Sequence, residues 1–320
     1  MSEPMPRSVD MPEAAKARIV EIGDESDGQR IDNYLIKMLK GVPRTRIYKA
    51  LRKGEVRVNG SRKKALYNLV IGDKVRVPPI RYAMAKGDLN IPPRLLDHVP
   101  ILYEDEHLLV VNKPSGLAVH GGTGVRYGLI EAFRELRPEL RYLELVHRLD
   151  RETSGCLMLA KSRQALLKLH EKLGNDRSIG KYYLALVKGE WGKKPRTIRL
   201  TLRKQVSNDG QTRMVVDRDG QIAISVIRPH RHFENSTLLS IELKTGRMHQ
   251  ARVHCASSHF PIAGDRVYGD DAFNKQMKKL GLGRLFLHAC RIEMAHPMTE
   301  MTLNIEAPLP GQMSNFLKAL

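Results

Sequence analysis

Residues 146–155 read Val-His-Arg-Leu-Asp-Arg-Glu-Thr-Ser-Gly and set one carboxylate, Asp150, between two guanidiniums, Arg148 and Arg151. Positive charge nearby favours the ionised form of a carboxylate. Held in place, such a group can attack an electrophilic carbon or stabilise a developing cation. Apolar runs flank the segment, Leu143 to Val146 before it and Leu157 to Ala160 after it, and Thr153, Ser154 and Gly155 supply turn chemistry between them. The pattern predicts a charged loop between two buried strands, where a rigid scaffold fixes it. The plain alternative is a surface ion pair, because perturbed charges mark sites only statistically.

Other segments narrow the chemistry. Gly246-Arg247-Met248-His249-Gln250-Ala251-Arg252 opens a predicted helix after a strand, and one of its arginines can face a carboxylate or a phosphate. Lys181-Tyr182-Tyr183-Leu184-Ala185 opens a strand whose adjacent tyrosines must face opposite sides, one of them a possible platform for a nucleobase. Gly121-Gly122-Thr123-Gly124 lacks a following Gly-Lys-Ser/Thr, and Gly128 is one residue late for a dinucleotide fingerprint, so no nucleotide cofactor is expected. His249 and His254 are five positions apart, a rotation of roughly 140° on a helix, and no His-Glu-x-x-His or Cys-x-x-Cys accompanies them, so no metal is expected. Cys156, Cys255 and Cys290 lie in apolar sequence and form no paired motif, which fits core packing in a reducing compartment.

The elements that must position these groups fall into two regions. The chain has 320 residues and a formal net charge of +19. Residues 29–81 hold 15 Lys/Arg against three acids, a net +12, and the rest carries only +7. A module this basic points to a polyanionic partner. Its pattern predicts a helix on Ile31, Tyr34, Leu35, Met38 and Leu39, and a second over 44–53 with Ile47, Ala50 and Leu51 on one side and the basic residues largely opposite. Short strands follow at Val56–Val58 and Val75–Val77. Residues 1–18 read as a disordered lead-in and 82–99 as a linker. Beyond Ile101, strands are predicted at 101–103, 108–112, 157–160, 182–187, 222–227, 237–244 and 285–294, and helices at 126–136, 163–173, 247–258 and 312–319. Short turns, as at Glu104-Asp105-Glu106 and around Asp209-Gly210, favour an α+β fold on a mixed, mainly antiparallel sheet. The N-terminus does not read as a signal peptide and no stretch reaches the length of a membrane span, so a cytoplasmic protein without membrane contact is expected.

These residues also resemble a known family. His147-Arg148-Leu149-Asp150-Arg151-Glu152-Thr153-Ser154-Gly155 is similar to the signature of the RluA family of RNA pseudouridine synthases. Asn112-Lys113-Pro114-Ser115-Gly116 with His120-Gly121-Gly122, Lys181-x-Tyr183-x-Ala185, Gly246-Arg247-x-His249-Gln250-x-Arg252, Tyr268-Gly269 and Leu287-His288-Ala289 resemble its other motifs in the same order. Residues 19–81 resemble an S4 RNA-binding domain, which would leave 100–320 as the catalytic domain. The arrangement is most similar to the branch that acts on large-subunit (23S) ribosomal RNA.

The resemblance implies an isomerase without cofactor, working in ribosomal RNA processing as a monomer. It implies that Asp150 engages the target nucleoside, that Tyr183 packs against its base, and that Arg252 pairs with the aspartate. Arg148 would enter the RNA stack as the uridine leaves. His120, His147, Arg151, Arg247 and Gln250 are expected at the substrate. Arg44, Arg46, Lys49, Arg52, Lys53 and Arg57 are expected on RNA. Met248, Ala251 and Phe260 depart from the family's usual residues, and Tyr182 is an extra aromatic. The rival readings are a non-catalytic S4-type RNA-binding or ribosome-associated protein, and a hydrolytic nucleic-acid enzyme. Release of the uridine C5 hydrogen without chain cleavage separates all three.

Overall fold

The computed structural model describes residues 17–39, 42–80, 91–122, 125, 127–174, 178–206 and 212–320. Residues 1–16 of the expected lead-in, 82–90 of the expected linker, Thr123 and Gly124 of the glycine loop and the Asp209-Gly210 turn lie outside them. The chain divides into two compact units, Met1–Asp88 and Leu89–Leu320.

In the smaller unit, strand β1 (Arg18–Glu21) precedes helices α1 (Ile31–Met38) and α2 (Arg44–Lys53), then β2 (Arg57–Val58) and β3 (Lys74–Val77). The strands form an antiparallel sheet in the order β1-β3-β2. Ile31 and Leu35 from α1, Ile47, Ala50 and Leu51 from α2, and Val58, Val75 and Val77 from the sheet bury one core. Helix α2 ends at Gly54 with φ 70°, a left-handed cap that glycine adopts without steric cost. The apolar face of α2 is thereby fixed inward, leaving Arg44, Lys49, Arg52 and Lys53 exposed. Arg46 is half-buried and pairs with Glu55 at 2.7 Å, and Arg57 donates to the carbonyls of Gly54 and Gly60.

The larger unit is built on one eleven-stranded sheet. In chain order it comprises β4 (Ile101–Glu104), β5 (Leu108–Lys113), α3 (Leu129–Leu136), β6 (Glu144–Leu145), β7 (Ser154–Ala160) and α4 (Arg163–Gly174). Next come β8 (Gly180–Lys188), β9 (Arg196–Val206), β10 (Thr212–Val216), β11 (Gln221–Phe233), β12 (Ser236–Leu243) and α5 (Gln250–Ser257). The chain ends with α6 (Asp271–Lys279), β13 (Leu287–Ala295), β14 (Thr302–Glu306) and α7 (Gly311–Ala319). The strand order is β10-β9-β11-β12-β8-β13-β7-β5-β4, with β14 beside β13 and β6 beside β7. All pairings are antiparallel except β13 with β7.

That one parallel contact positions the loop at residues 146–153. It registers His288 on Ser154 and Ala289 on Gly155, the first residues after the loop. Gly155 has φ 115°, and a Cβ there would sit 2.1 Å from the Ala289 carbonyl oxygen, so only glycine lets the strands approach this closely. All seven residues of β7 are buried. Leu157 and Leu159 face a core with Leu129, Ile130 and Phe133 of α3, while Cys156, Met158 and Ala160 face a second core with Ala165 and Leu169 of α4. Burial on both faces explains the unbroken apolar run in the sequence. The expected linker ends earlier than its composition suggests: Leu95–His98 form a 3-10 turn, Val99 is buried, and Leu96 packs on the main core. Cys156 and Cys255 are buried and burial pushes both thiols up to about 12, as suits inert core residues.

Candidate active site

Asp150 sits at the tip of the loop that enters β7. The Thr153 amide donates to the Asp150 carbonyl at 3.1 Å, and the loop is tied from both sides. Lys113, at the end of β5, donates to the Arg151 carbonyl at 3.0 Å. Arg284 donates to the Ser154 hydroxyl at 2.7 Å, and that hydroxyl also bonds His288 Nδ1 at 2.8 Å. His288 Nε2 reaches the Ala307 carbonyl, so this buried serine and histidine form a strap, with no carboxylate behind the ring to make a nucleophile system.

The carboxylate's ionic partner is Arg252. Its Nη1 donates to Asp150 Oδ2 at 3.2 Å, and its Nε and Nη2 bind Asp265 in a fork at 2.7 and 2.8 Å. Asp265 is fully buried and also accepts from the amides of Val267 and Tyr268. Burial opposes the charge of Asp265, yet the bonds and charge of Arg252 hold its carboxyl below the ordinary range. Burial likewise opposes the Arg252 charge, and the two carboxylates raise its pKa above the usual value. The result is a guanidinium locked by one acid and aimed at another. Among the described residues, Asp150 Oδ1 carries no hydrogen bond, and the side chain keeps 24 % exposure.

Helix α5 delivers Arg252 from an unusual entry. Its residues from Gln250 to Cys255 are all buried, so the helix runs through the interior instead of along the surface. It starts three residues later than its sequence pattern predicts, because His249 adopts a left-handed conformation at φ 53°. Such strain persists where surroundings over-determine it. Here Tyr268 Oη, which accepts from the Met214 amide at 2.7 Å, lies 2.8 Å from His249 Nδ1, and His249 Nε2 stands 3.8 Å from Asp150 Oδ2. The Tyr268 hydroxyl and His249 Nδ1 share this hydrogen bond, which sets the ring with Nε2 on the side of the carboxylate.

A cavity of about 710 Å³ opens in front of these groups. Tyr183 of β8 lines it and is 7 % exposed; burial, reinforced by the Asp150 charge, pushes its phenol pKa up. Arg148, His120 and Arg247 line it as exposed residues, with the Arg247 Nε donating to the Ile222 carbonyl. His147 lines it too, but its Nε2 accepts from the Met158 amide, and burial holds it down to about 3, so it is neutral. Gln250 lines the wall with its amide consumed: it accepts from Thr245 and the Arg247 amide and donates to Ile224 and Ser225. Arg151 does not line the cavity; its Nε bonds the Gly116 carbonyl. Asp150 therefore stands against Arg252, not between Arg148 and Arg151.

Asp150 is the one carboxylate among the described lining residues, against five cations: Arg148, Lys181, Lys244, Arg247 and Arg252. Among the described residues no group of three His, Cys, Asp or Glu is placed to hold a metal. Sequence reasoning missed Asp265 altogether and gave Lys181, His249 and Tyr268 no role beyond their motifs. Asp265 left only a faint trace, a lone acid in the apolar stretch 261–265.

Comparison with known proteins decides the family. The RNA pseudouridylate synthase family model matches residues 107–257 and the S4 domain model residues 29–75. The chain is 48% identical over 308 residues to Ribosomal large subunit pseudouridine synthase C of Pasteurella multocida, covering 95% of this chain and 94% of that protein. The chain belongs to the RNA pseudouridine synthases. The Escherichia coli K12 protein of the same name is 45% identical over 314 residues, covering 96% of this chain and 98% of that one. Among solved structures, Human RNA Pseudouridylate Synthase Domain Containing 4 superposes with a TM-score of 0.58 at 27% identity, over 71% of this chain and 94% of its own. The pseudouridine synthase is thus an RNA isomerase with an S4 domain ahead of its catalytic sheet. Among its described residues no helix is long and apolar enough to cross a membrane.

Proposed function

We propose that this synthase isomerises specific uridines of large-subunit (23S) ribosomal RNA, with Asp150 as the group that engages the nucleoside. The chain Asp265–Arg252–Asp150 at the wall of a cavity floored by Tyr183 carries this reading. It leaves one carboxylate oxygen of a cavity-lining group without a partner among the described residues. The near full-length identity to proteins named for the large ribosomal subunit supports the substrate.

The target base must first leave its stack, at a cost of roughly a few kcal/mol. Arg148, exposed at the cavity rim, takes the vacated place. Tyr183 packs against the extruded uracil. Asp150 engages the sugar at its anomeric carbon as the N1–C1′ bond breaks. The uracil then turns within the cavity, C5 bonds to C1′ as Asp150 disengages from it, and the hydrogen lost from C5 is matched by one taken up at N1. The exposed cations of α2 add affinity through the phosphates and no chemistry.

The test is tritium release from ribosomal RNA labelled at uridine C5. The wild-type protein should release tritium stoichiometrically with pseudouridine and leave the chain uncut. Mapping in cells without the protein should show the same positions unmodified. Tight RNA binding with no release would return the protein to the class of RNA-binding modules.

A further inference from the structure

Lys181 lies on β8, two residues before Tyr183, so the two side chains share one face of the strand roughly 7 Å apart. It lines the same cavity and is 7 % exposed. Among the described residues its amine has no hydrogen bond and no ion pair. It rests against Gly246, where a Cβ would come 3.5 Å from Nζ. The titratable groups that line the same cavity include the cations Arg247 and Lys244 after β12 and Arg148 on the loop at 146–153, the neutral His147, and His170 on α4; among the described lining residues Asp150 is the sole acid. A buried ammonium without a counter-charge is costly. Burial, with the like charge of Arg247, pushes it down to about 8.

Resting on the reaction assigned above, we propose that Lys181 is a further catalytic residue, whose ammonium binds a carbonyl oxygen of the uracil and stabilises the anion formed when the base leaves the sugar. As the N1–C1′ bond breaks, its electron pair stays on the base and spreads over O2 and O4. Tyr183 sets the plane of the ring, and the neighbouring amine reaches its edge. When C5 attacks C1′ the charge is neutralised; the C5 proton then passes to water and N1 takes one proton up, so the product is a neutral isomer of uridine. A cation kept without a protein partner favours this charged intermediate over neutral bound uridine, which is how a site accelerates a reaction instead of only binding its substrate.

Substituting Lys181→Met keeps the bulk and removes the charge. Single-turnover rates are read by chromatography of digested nucleosides, on a ribosomal RNA transcript that the wild-type protein modifies and on the same transcript made with 5-fluorouridine. Fluorine stabilises the base anion by itself. Lys181→Met should slow uridine RNA by about 100-fold or more and 5-fluorouridine RNA by less than about tenfold, with RNA binding within about threefold. Its thermal midpoint should equal or exceed that of the wild type, since an uncompensated buried charge is gone. In the wild type, kcat/KM should fall above about pH 8, where the free amine loses its proton. Lys181→Arg should retain activity and move that limb to higher pH, and Lys181→Met should abolish it. Equal slowing on both RNAs, an unchanged rate, or an unfolded Lys181→Met protein would each overturn the proposal. Absence of product from the wild type would instead overturn the reaction itself.

Discussion

Among the described residues two lysines are buried in the catalytic unit, and the fold treats them in opposite ways. Lys113 closes β5 with its amine on three carbonyls, those of Pro114, Leu117 and Arg151, at 2.8 to 3.0 Å. All three N–H groups are used, so the ammonium holds the catalytic loop and meets nothing else. Lys181 has no such acceptors and opens on the cavity. Burial depresses both, to about 7 and about 8. A shifted pKa therefore does not separate a tie from a tool; the count of satisfied hydrogens does. The same contrast divides the rest of the site. Arg284, Asp265 and Gln250 are spent on the protein, whereas Asp150, Arg148 and Lys181 have capacity left for RNA.

The sharpest break of this division is Asp150→Asn. The substitution removes the charge from a half-buried side chain that pairs with Arg252 and faces His249. Product formation should fall by more than about 10⁴-fold, roughly 5.5 kcal/mol of transition-state stabilisation. RNA binding should stay within about tenfold and the urea midpoint should not move. A proportionate loss of binding and turnover would put Asp150 among the ties.

Asp265→Asn should act the other way. It leaves the buried Arg252 guanidinium with only the more distant carboxylate, and breaking a buried pair costs about 3–5 kcal/mol. Chemical denaturation should show a loss at or just below that range, with turnover falling because Arg252 no longer points at Asp150. Full stability with lost turnover would transfer Asp265 to the groups that act on substrate.

Lys113→Met should cost somewhat less, about 2–4 kcal/mol, because three carbonyls lose a buried donor but no charged partner is stranded. Activity per folded molecule should fall only as far as the loop loosens. A fall as deep as that of Asp150→Asn, in a protein of native stability, would mean that Lys113 touches the substrate.

How much of this was legible in the chain follows from the range of each interaction. The loop at 146–155 stood out because its apolar flanks become β6 and β7, and a doubly buried strand writes itself as a continuous hydrophobic run. Tyr183 was legible as one of two tyrosines on opposite faces; β8 buries it and leaves Tyr182 half-buried. Strand β9 went unread because Arg196, Arg199, Arg203 and Lys204 interrupt a segment with one apolar face only. Helix α6 went unread too, although Asp270 caps it by accepting from the Phe273 amide. The start of α5 was misplaced because nothing local announces a left-handed histidine. Arg252 reaches Asp150 across 102 residues and Asp265 across 13, distances at which spacing carries no periodic signal. The resemblance supplied the first contact and could not supply the second.

The smallest effect belongs to the other unit, and it sharpens the same distinction there. Lys49, Arg52 and Lys53 on α2 are exposed and, among the described residues, have no hydrogen bond or ion pair, whereas Arg46 is paired with Glu55. Each phosphate contact contributes roughly 0.7–0.9 to the slope of log affinity against log salt. Replacing Lys49, Arg52 and Lys53 together by Gln should lower that slope by about two and weaken binding by about tenfold at moderate salt, leaving the rate at saturating RNA unchanged. Arg46→Gln should change the slope by less than one, since its charge is already answered, and should cost a few tenths of a kcal/mol of stability from a partly exposed pair. Titrations across a salt series separate the two variants. Equal slopes would mean that pairing with Glu55 does not withhold Arg46 from RNA, and that exposure alone decides which cations of this helix meet the backbone.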